Sequence, residues 1–211
     1  MKKFELTNEF ITNMFGTKLF RIRALVEFGD VEAGELGGYV EKESNLGHDD
    51  NAWVYDNAWV YGNARVYGDA QVSGYARVYD NAWVYGDAQV SGDARVYGNA
   101  RVYGNAWVYG NAWVYGNAWV YGNALVCSDE DYAYAHGFGS VNRTTTFFRL
   151  KDGGVGVRCG CFYGTLAQFR DKIRETHGET KKAQEYLMLA DLMELRFEED
   201  ENEVGNRKYV E

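Results

Sequence analysis

Thirteen valines stand six residues apart, from Val54 to Val126, and an alanine sits two residues before each, from Ala52 to Ala124. One unit reads Val-Tyr-Gly-Asn-Ala-Trp. In a strand, residues two apart point the same way, so Ala and Val share an inner face and the residues flanking Val point out. Gly followed by Asn or Asp fits a sharp corner, because these residues take positive φ at least cost. A short apolar period of this kind predicts a chain wound into a β-solenoid. The repeat is scaffold, and function lies in what it displays.

The period also gives the number of sides. Gly-Asp-Ala-Gln-Val-Ser-Gly occurs at Gly68–Gly74 and again at Gly86–Gly92, an offset of 18 residues or three hexads, and Arg77 and Arg95 repeat at the same offset. The block resembles the left-handed β-helix of hexapeptide-repeat proteins. That resemblance implies that Val fills a triangular prism, that Ala packs near the corner and that three hexads make one coil. On this reading the first side displays Trp53, Gln71, Gln89, Trp107 and Leu125, followed by Tyr55, Ser73, Ser91, Tyr109 and Cys127. The second displays Trp59, Arg77, Arg95 and Trp113 with Tyr61, Tyr79, Tyr97 and Tyr115. The third displays Arg65, Trp83, Arg101 and Trp119 with Tyr67, Tyr85, Tyr103 and Tyr121. Coils about 4.8 Å apart give a prism roughly 20 Å tall, with an interior too narrow for a ligand.

All six tryptophans lie in this block. They have two readings. They are ladder residues that shield a thin core, stacked on one another or under Arg. Alternatively they form a contact surface for a protein, a sugar or a second subunit, because large apolar patches mark contact and Trp, Tyr and Arg are favoured anchors. The candidates for the second reading are Trp107, Trp113, Trp119, Tyr109, Tyr115 and Tyr121. The Gln/Ser stripe lacks the regular threonine rows of an ice-binding face.

The net charge of −9 is unevenly spread. Residues 26–50 hold eight acids and one lysine, whereas residues 141–178 hold seven bases and three acids. The balance argues against direct nucleic-acid binding. Glu27, Asp30, Glu32, Glu35, Glu41, Glu43, Asp49 and Asp50 make the N-terminal segment acidic, either as a solvated cap that blocks aggregation or as a surface for a basic partner. No apolar run approaches the roughly 18 residues of a membrane span. The start, Met-Lys-Lys-Phe-Glu-Leu-Thr, lacks an apolar signal core, so a cytoplasmic location is expected. Three cysteines suit a reducing compartment.

Four segments follow: a cap over 1–50, the prism over 51–127, a connector over 128–140 and a ββαα unit over 141–211. Lys18–Leu25 alternates apolar and basic residues and reads as a strand, and Gly34–Val40 reads as a turn and strand feeding the first coil. In the last unit, strands are expected at Thr144–Leu150 and Val155–Cys161 around an Asp152-Gly-Gly turn. Thr165 caps a first helix with Leu166, Phe169 and Ile173 inward and Gly178 as its stop. Thr180 caps a second, with Leu187, Ala190, Met193 and Leu195 mostly inward, and an acidic tail closes the chain. The expected class is mainly β: a three-sided left-handed parallel β-helix, an N-terminal cap and a small C-terminal α+β domain.

Nearly the whole chain resembles a group of phage and gut-bacterial hexapeptide-repeat proteins of undefined role. The carriers are Phe20-Arg-Ile-Arg-Ala-Leu25, Gly34-Glu-Leu-Gly-Gly-Tyr-Val-Glu41, the Asn-Ala-x-Val-Tyr-Gly array, Val157-Arg-Cys-Gly-Cys-Phe162, Gly164-Thr-Leu166 and Thr176-His-Gly178. The resemblance implies a mobile-element origin and no catalytic assignment. Acyltransferases of the hexapeptide class use a histidine between coils as base, and zinc carbonic anhydrases need three across coils. Here His48, His136 and His177 all lie outside the array. Cys159 and Cys161 share a strand face and can be joined by His177 or His136, but a C-x-C pair is a weak metal signal and packing cysteines are the plainer reading. Asp129, Glu130 and Asp131 lack EF-hand spacing and read as a solvated turn.

The sequence therefore predicts a non-enzymatic interaction protein without cofactor or metal. It is phage-encoded in this reading, and in the host cytoplasm it binds and inhibits or modulates a host protein such as a defence nuclease through an acidic surface. Its alternatives are a self-assembling solenoid oligomer and, third, an acyltransferase-like enzyme.

Overall fold

The computed structural model describes residues 2–139 and 143–198. The chain opens with β1 (Phe4–Thr12), β2 (Lys18–Ala24) and β3 (Leu36–Val40), followed by a 3₁₀ turn at Glu43–Asn45. Thirteen strands of two or three residues follow, β4 (Trp53–Val54) to β16 (Leu125–Val126). Each is centred on one hexad valine, and they stack in parallel into three sheets, every residue pairing with the one 18 positions on, as in Gln71↔Gln89, Arg77↔Arg95 and Arg101↔Trp119. All thirteen valines and their alanines are fully buried.

The coil begins earlier than the hexads. Tyr39 and Val40 pair in parallel with Trp59 and Val60, and Leu46 bridges Val66, offsets of 20 residues. An eight-residue step from Leu46 to Val54 replaces the usual six in this first turn. The winding thus has five turns, and the boundary expected after residue 50 falls inside the first of them.

Corners are held by glycines at φ between 64° and 71° from Gly62 to Gly122. A Cβ at Gly86 would meet the Gly104 backbone nitrogen at 3.0 Å, so close coil stacking also requires glycine there. Asp56 and Asp80 take the same positive φ at two corners. Their carboxylates accept the backbone N–H of Gly74 and Gly98 in the coil above, at 3.1 and 3.2 Å.

The solenoid is polar along its axis. Flanking N–H groups donate to carbonyls of the next coil, as Arg77 N does to Ala94 O at 2.9 Å. With two such donors per strand against one valine N–H running the other way, the first coil is left with an excess of bare acceptors and the last with an excess of bare donors. The N-terminal segment answers with donors. Buried Lys3 Nζ reaches Ala52 O at 2.8 Å, and buried Asn45 Nδ2 reaches Ala64 O at 2.8 Å. The C-terminal segment answers with acceptors. Asp129 Oδ1 takes the Trp113 N–H at 2.7 Å, Thr146 Oγ1 takes that of Trp119 at 2.9 Å, and Asp131 Oδ2 takes that of Cys127 at 3.0 Å.

Residues 128–140, expected as a connector, contain a strand. β17 (Tyr132–Phe138) joins β18 (Arg143–Arg149), β19 (Val155–Cys159) and β20 (Phe162–Thr165) in an antiparallel sheet, followed by α1 (Leu166–His177) and α2 (Lys181–Phe197). In β17 the Tyr and Phe positions favour a strand, but Ala133, Ala135 and Gly137 between them weaken the signal. β18 serves two cores at once: Phe148 packs into the prism core and Phe147 against the helices. The unit is therefore the lid of the last coil as well as a small domain. Thr165 and Gln168 form a capping box on α1, and Thr180 caps α2. On α2, Ala183, Tyr186, Ala190, Met193 and Phe197 face inward at helical spacing. Leu195, expected inward, is exposed, because that stripe turns it away from the sheet. Of the acidic tail, residues 199–211 lie outside the described residues.

Candidate functional site

The outward faces of the solenoid carry stacked columns of side chains. Tyr61, Tyr79, Tyr97 and Tyr115 stack with ring centroids 4.9–5.3 Å apart and planes within 14°. Tyr67, Tyr85, Tyr103 and Tyr121 also stack, at 4.3–4.9 Å with planes within 27°. Beside the second column Arg and Trp alternate from Arg65 to Trp119, and beside the first Arg77 and Arg95 lie between Trp59 and Trp113. Arg101 lies 4.8 Å from both Trp83 and Trp119, Arg77 lies 4.3 Å from Trp59, and Arg95 lies 4.6 Å from Trp113. Asn63, Asn81, Asn99 and Asn117 form an amide ladder along one corner. Within the columns the ring faces are covered by neighbours one coil away, so a base or sugar finds ring edges there. The ladder reading of the tryptophans fits this geometry.

Trp107, Trp113 and Trp119 do not form one patch: they belong to three different sheets. What they share is level, and the C-terminal unit meets them there. Lys151 Nζ stands 3.8 Å from the Trp107 ring centre, and the Arg158 guanidinium 5.4 Å from that of Trp119. Tyr115 contacts Tyr132 and Tyr134 edge-on, and Tyr121 contacts Tyr163. Tyr109 stands in the Trp107 sheet, its N–H on Val126 O at 2.9 Å. Trp53, expected on the outside of the first side, is fully buried under Phe4 and Phe28 of the cap.

The acidic residues divide. Glu41 accepts the Gly62 N–H at 2.6 Å, Glu43 pairs with Lys2 at 2.6 Å, and Glu35 accepts the Glu32 N–H at 3.0 Å. These have structural tasks. Glu27, Asp30 and Glu32 point into solvent from the loop between β2 and β3, with no ion pair among the described residues. Asp131, expected in a solvated turn, is 1% exposed. It accepts from the Cys127 and Ser128 amides and stands 3.3 Å from Arg149 Nε, near enough for an ion pair though not aligned as a hydrogen bond.

Two exposed apolar features escaped the sequence reading, and both lie beyond the hexads. At the β1–β2 turn, Met14 and Phe15 are 88% and 80% exposed. The turn is stiff: Asn13 Oδ1 accepts from the N–H groups of Phe15 and Thr17, both at 2.9 Å, and Gly16 takes φ 81°. At the other end, Met188, Leu192 and Leu195 are 72%, 54% and 67% exposed and share the outer face of α2 at i, i+4 and i+7 spacing. The sequence signal for that stripe was its offset from the inward one.

The thiols line a cleft of about 280 Å³ with Phe162, Phe169, Lys172 and His177. Cys159 Sγ accepts from the Thr145 hydroxyl at 3.1 Å, and Cys161 is exposed. Among the described residues no three of His, Cys, Asp and Glu gather as metal ligands. His48 stacks on Phe4 and accepts the Lys3 N–H at 3.2 Å. Burial pulls its pKa below the usual value, against the nearby Glu43 carboxylate. His136 bonds Thr144 at 3.0 Å, and His177 stacks on Tyr186. The three imidazoles are thus divided between the cap and the C-terminal unit. No described helix is long and apolar enough to cross a membrane.

The fold defines the class: a repeat β-solenoid protein, capped at one end by a hairpin and at the other by an antiparallel sheet with two helices. Within the prism the chain is similar to a family described as the YdcK beta solenoid repeat, which matches residues 58–74, 76–92, 88–104, 94–110, 100–116 and 106–122. No curated protein matches the chain.

Proposed function

We propose that the protein is a non-enzymatic interaction protein in which a rigid prism, about 24 Å tall for five turns, holds a contact surface at each end. The observation that carries this reading is the distribution of exposed apolar side chains. On the array Tyr75, Trp107 and Trp113 are 62%, 42% and 40% exposed within or beside stacked columns, whereas Met14–Phe15 in the N-terminal hairpin and Met188–Leu192–Leu195 on α2 form apolar groups that no column covers. Apolar side chains held out on a stiff turn and a capped helix mark protein contact and lose little entropy on binding. Phage origin, a cytoplasmic site of action and inhibition of a host protein remain part of the proposal. Glu27, Asp30 and Glu32 support a basic partner at the N-terminal end.

The test uses the full chain and two double variants, Met14→Ser with Phe15→Ser and Leu192→Ser with Leu195→Ser. Both replace exposed groups, so folding is expected to persist. Affinity capture from host lysate should lose a partner with one pair or the other. Capture unaffected by either pair, with native mass unchanged, would overturn the two-ended reading. The self-assembly alternative is favoured by the α2 stripe alone. It predicts a native mass that grows with concentration and falls to the monomer in the Leu192/Leu195 variant.

A further inference from the structure

We infer that the cleft between the third side of the prism and the C-terminal sheet is an anion-binding site for a phosphoryl or sulfuryl group. The cleft has a volume of about 410 Å³. Its polar lining comes from Arg143, Arg158, His136, Thr144 and Asn117, beside Trp119, with no carboxylate among the described residues. In a chain of net charge −9, two arginines lining one cleft with no acid among its described residues are unexpected.

Arg158 is fixed but not neutralised. Its Nε donates to the Tyr103 hydroxyl at 3.1 Å, its other arm donates to Phe162 O at 3.0 Å, and its plane faces Trp119. It forms no ion pair among the described residues. It also ends the third-side column, following Arg65, Trp83, Arg101 and Trp119. Arg143 is placed by the β19–β20 hairpin. Gly160 turns at φ 59°, and a Cβ there would collide with the Arg143 guanidinium, so the glycine is the floor on which the cation rests. His136 and Thr144 bond each other at 3.0 Å at the cleft edge and add an imidazole and a hydroxyl.

Guanidiniums offer forked donors matched to tetrahedral oxyanions, and fixing them beforehand lowers the entropy lost on binding. Both faces of Trp119 are covered by Arg101 and Arg158, so the site has no stacking platform for a base. The recognised element is therefore the charged group and not an attached ring.

Calorimetric titration of the full chain with inorganic phosphate should saturate, and acetate should bind at least about tenfold more weakly, because it offers fewer acceptor oxygens. Phenyl phosphate should match inorganic phosphate, since no ring subsite exists. Arg143→Gln should weaken phosphate by about tenfold or more, while Lys182→Gln, the same charge loss on α2, should leave it unchanged. Arg143 is exposed, so the variant should keep its melting temperature, and His136→Gln gives a second reading of the same site. No saturation by about 10 mM phosphate, equal acetate binding, or equal phosphate affinity in folded Arg143→Gln would overturn the assignment.

Discussion

At the scale of single residues, the chain is governed by what it does with unpaired backbone groups. A parallel coil ends with a row of orphan N–H donors, and a buried donor without a partner costs about 1–3 kcal/mol. Asp131 gathers two such amides, the Ser128 hydroxyl and Arg149 into one buried knot. Asp131→Asn keeps the shape but removes the charge and one acceptor oxygen. Arg149, only partly exposed, then loses the Asp131 charge 3.3 Å from its Nε. A loss of about 3–5 kcal/mol is expected, the range for a buried pair broken on one side. Chemical denaturation of wild type and variant checks it. A change below about 1 kcal/mol would mean that Asp131 behaves like a surface acid.

At the scale of elements, the tyrosine columns make stability depend on alkaline pH. Burial, then the neighbouring rings above and below, push Tyr79 and Tyr85 up to about 12. Burial also raises Tyr55, Tyr61, Tyr67, Tyr97, Tyr103 and Tyr132. In the unfolded chain these phenols titrate near 10. The folded state therefore holds more protons above pH 10, and its stability falls as pH rises from about 10 to 12. Lys3 acts in the opposite sense. Burial lowers it to about 8, against the pull of Asp50, so the unfolded chain binds the extra proton between about 8 and 10.5 and stability rises there. Melting curves should thus show a shallow gain between pH 8 and 10 and a steep loss above it. Ultraviolet titration should show Tyr79 and Tyr85 ionising only as the pH approaches about 12 in the folded protein, and near 10 once it is denatured. A single tyrosine transition near pH 10 with no loss of melting temperature would contradict the ladder.

At the scale of the whole molecule, charge and contact are separated along one axis. Reversing Glu41 or Glu43 would damage the cap, since both are bound internally. Glu27, Asp30 and Glu32 are the acids free to act at a distance. Changing these three to Lys should leave melting within a few degrees and slow association with a basic partner. Added salt should weaken wild-type binding over the same range, because exposed charges are screened within about 8–10 Å. Stopped-flow or biosensor rates would show this as a change in on-rate. An unchanged on-rate with a faster off-rate would move the contact to Met14 and Phe15.

The hexad alone determined the prism. Val84 is buried because every sixth residue must face the axis, and Gly-Asn corners recur because the turn needs positive φ; both are local facts that a period expresses. Helix caps at Thr165 and Thr180 were legible for the same reason. Three things were not. The first coil is closed by Leu46, whose pairing lies 20 residues away and breaks the period. β17 finds its partner only once β18 lies across the last coil. The cleft at Arg143 and Arg158 joins residues with Trp119 from the array, and nothing in the spacing brings them together. Repeats write their own contacts into sequence because each neighbour is one period away. Ends, lids and clefts are made by non-repeating contacts, and only the packed chain decides those.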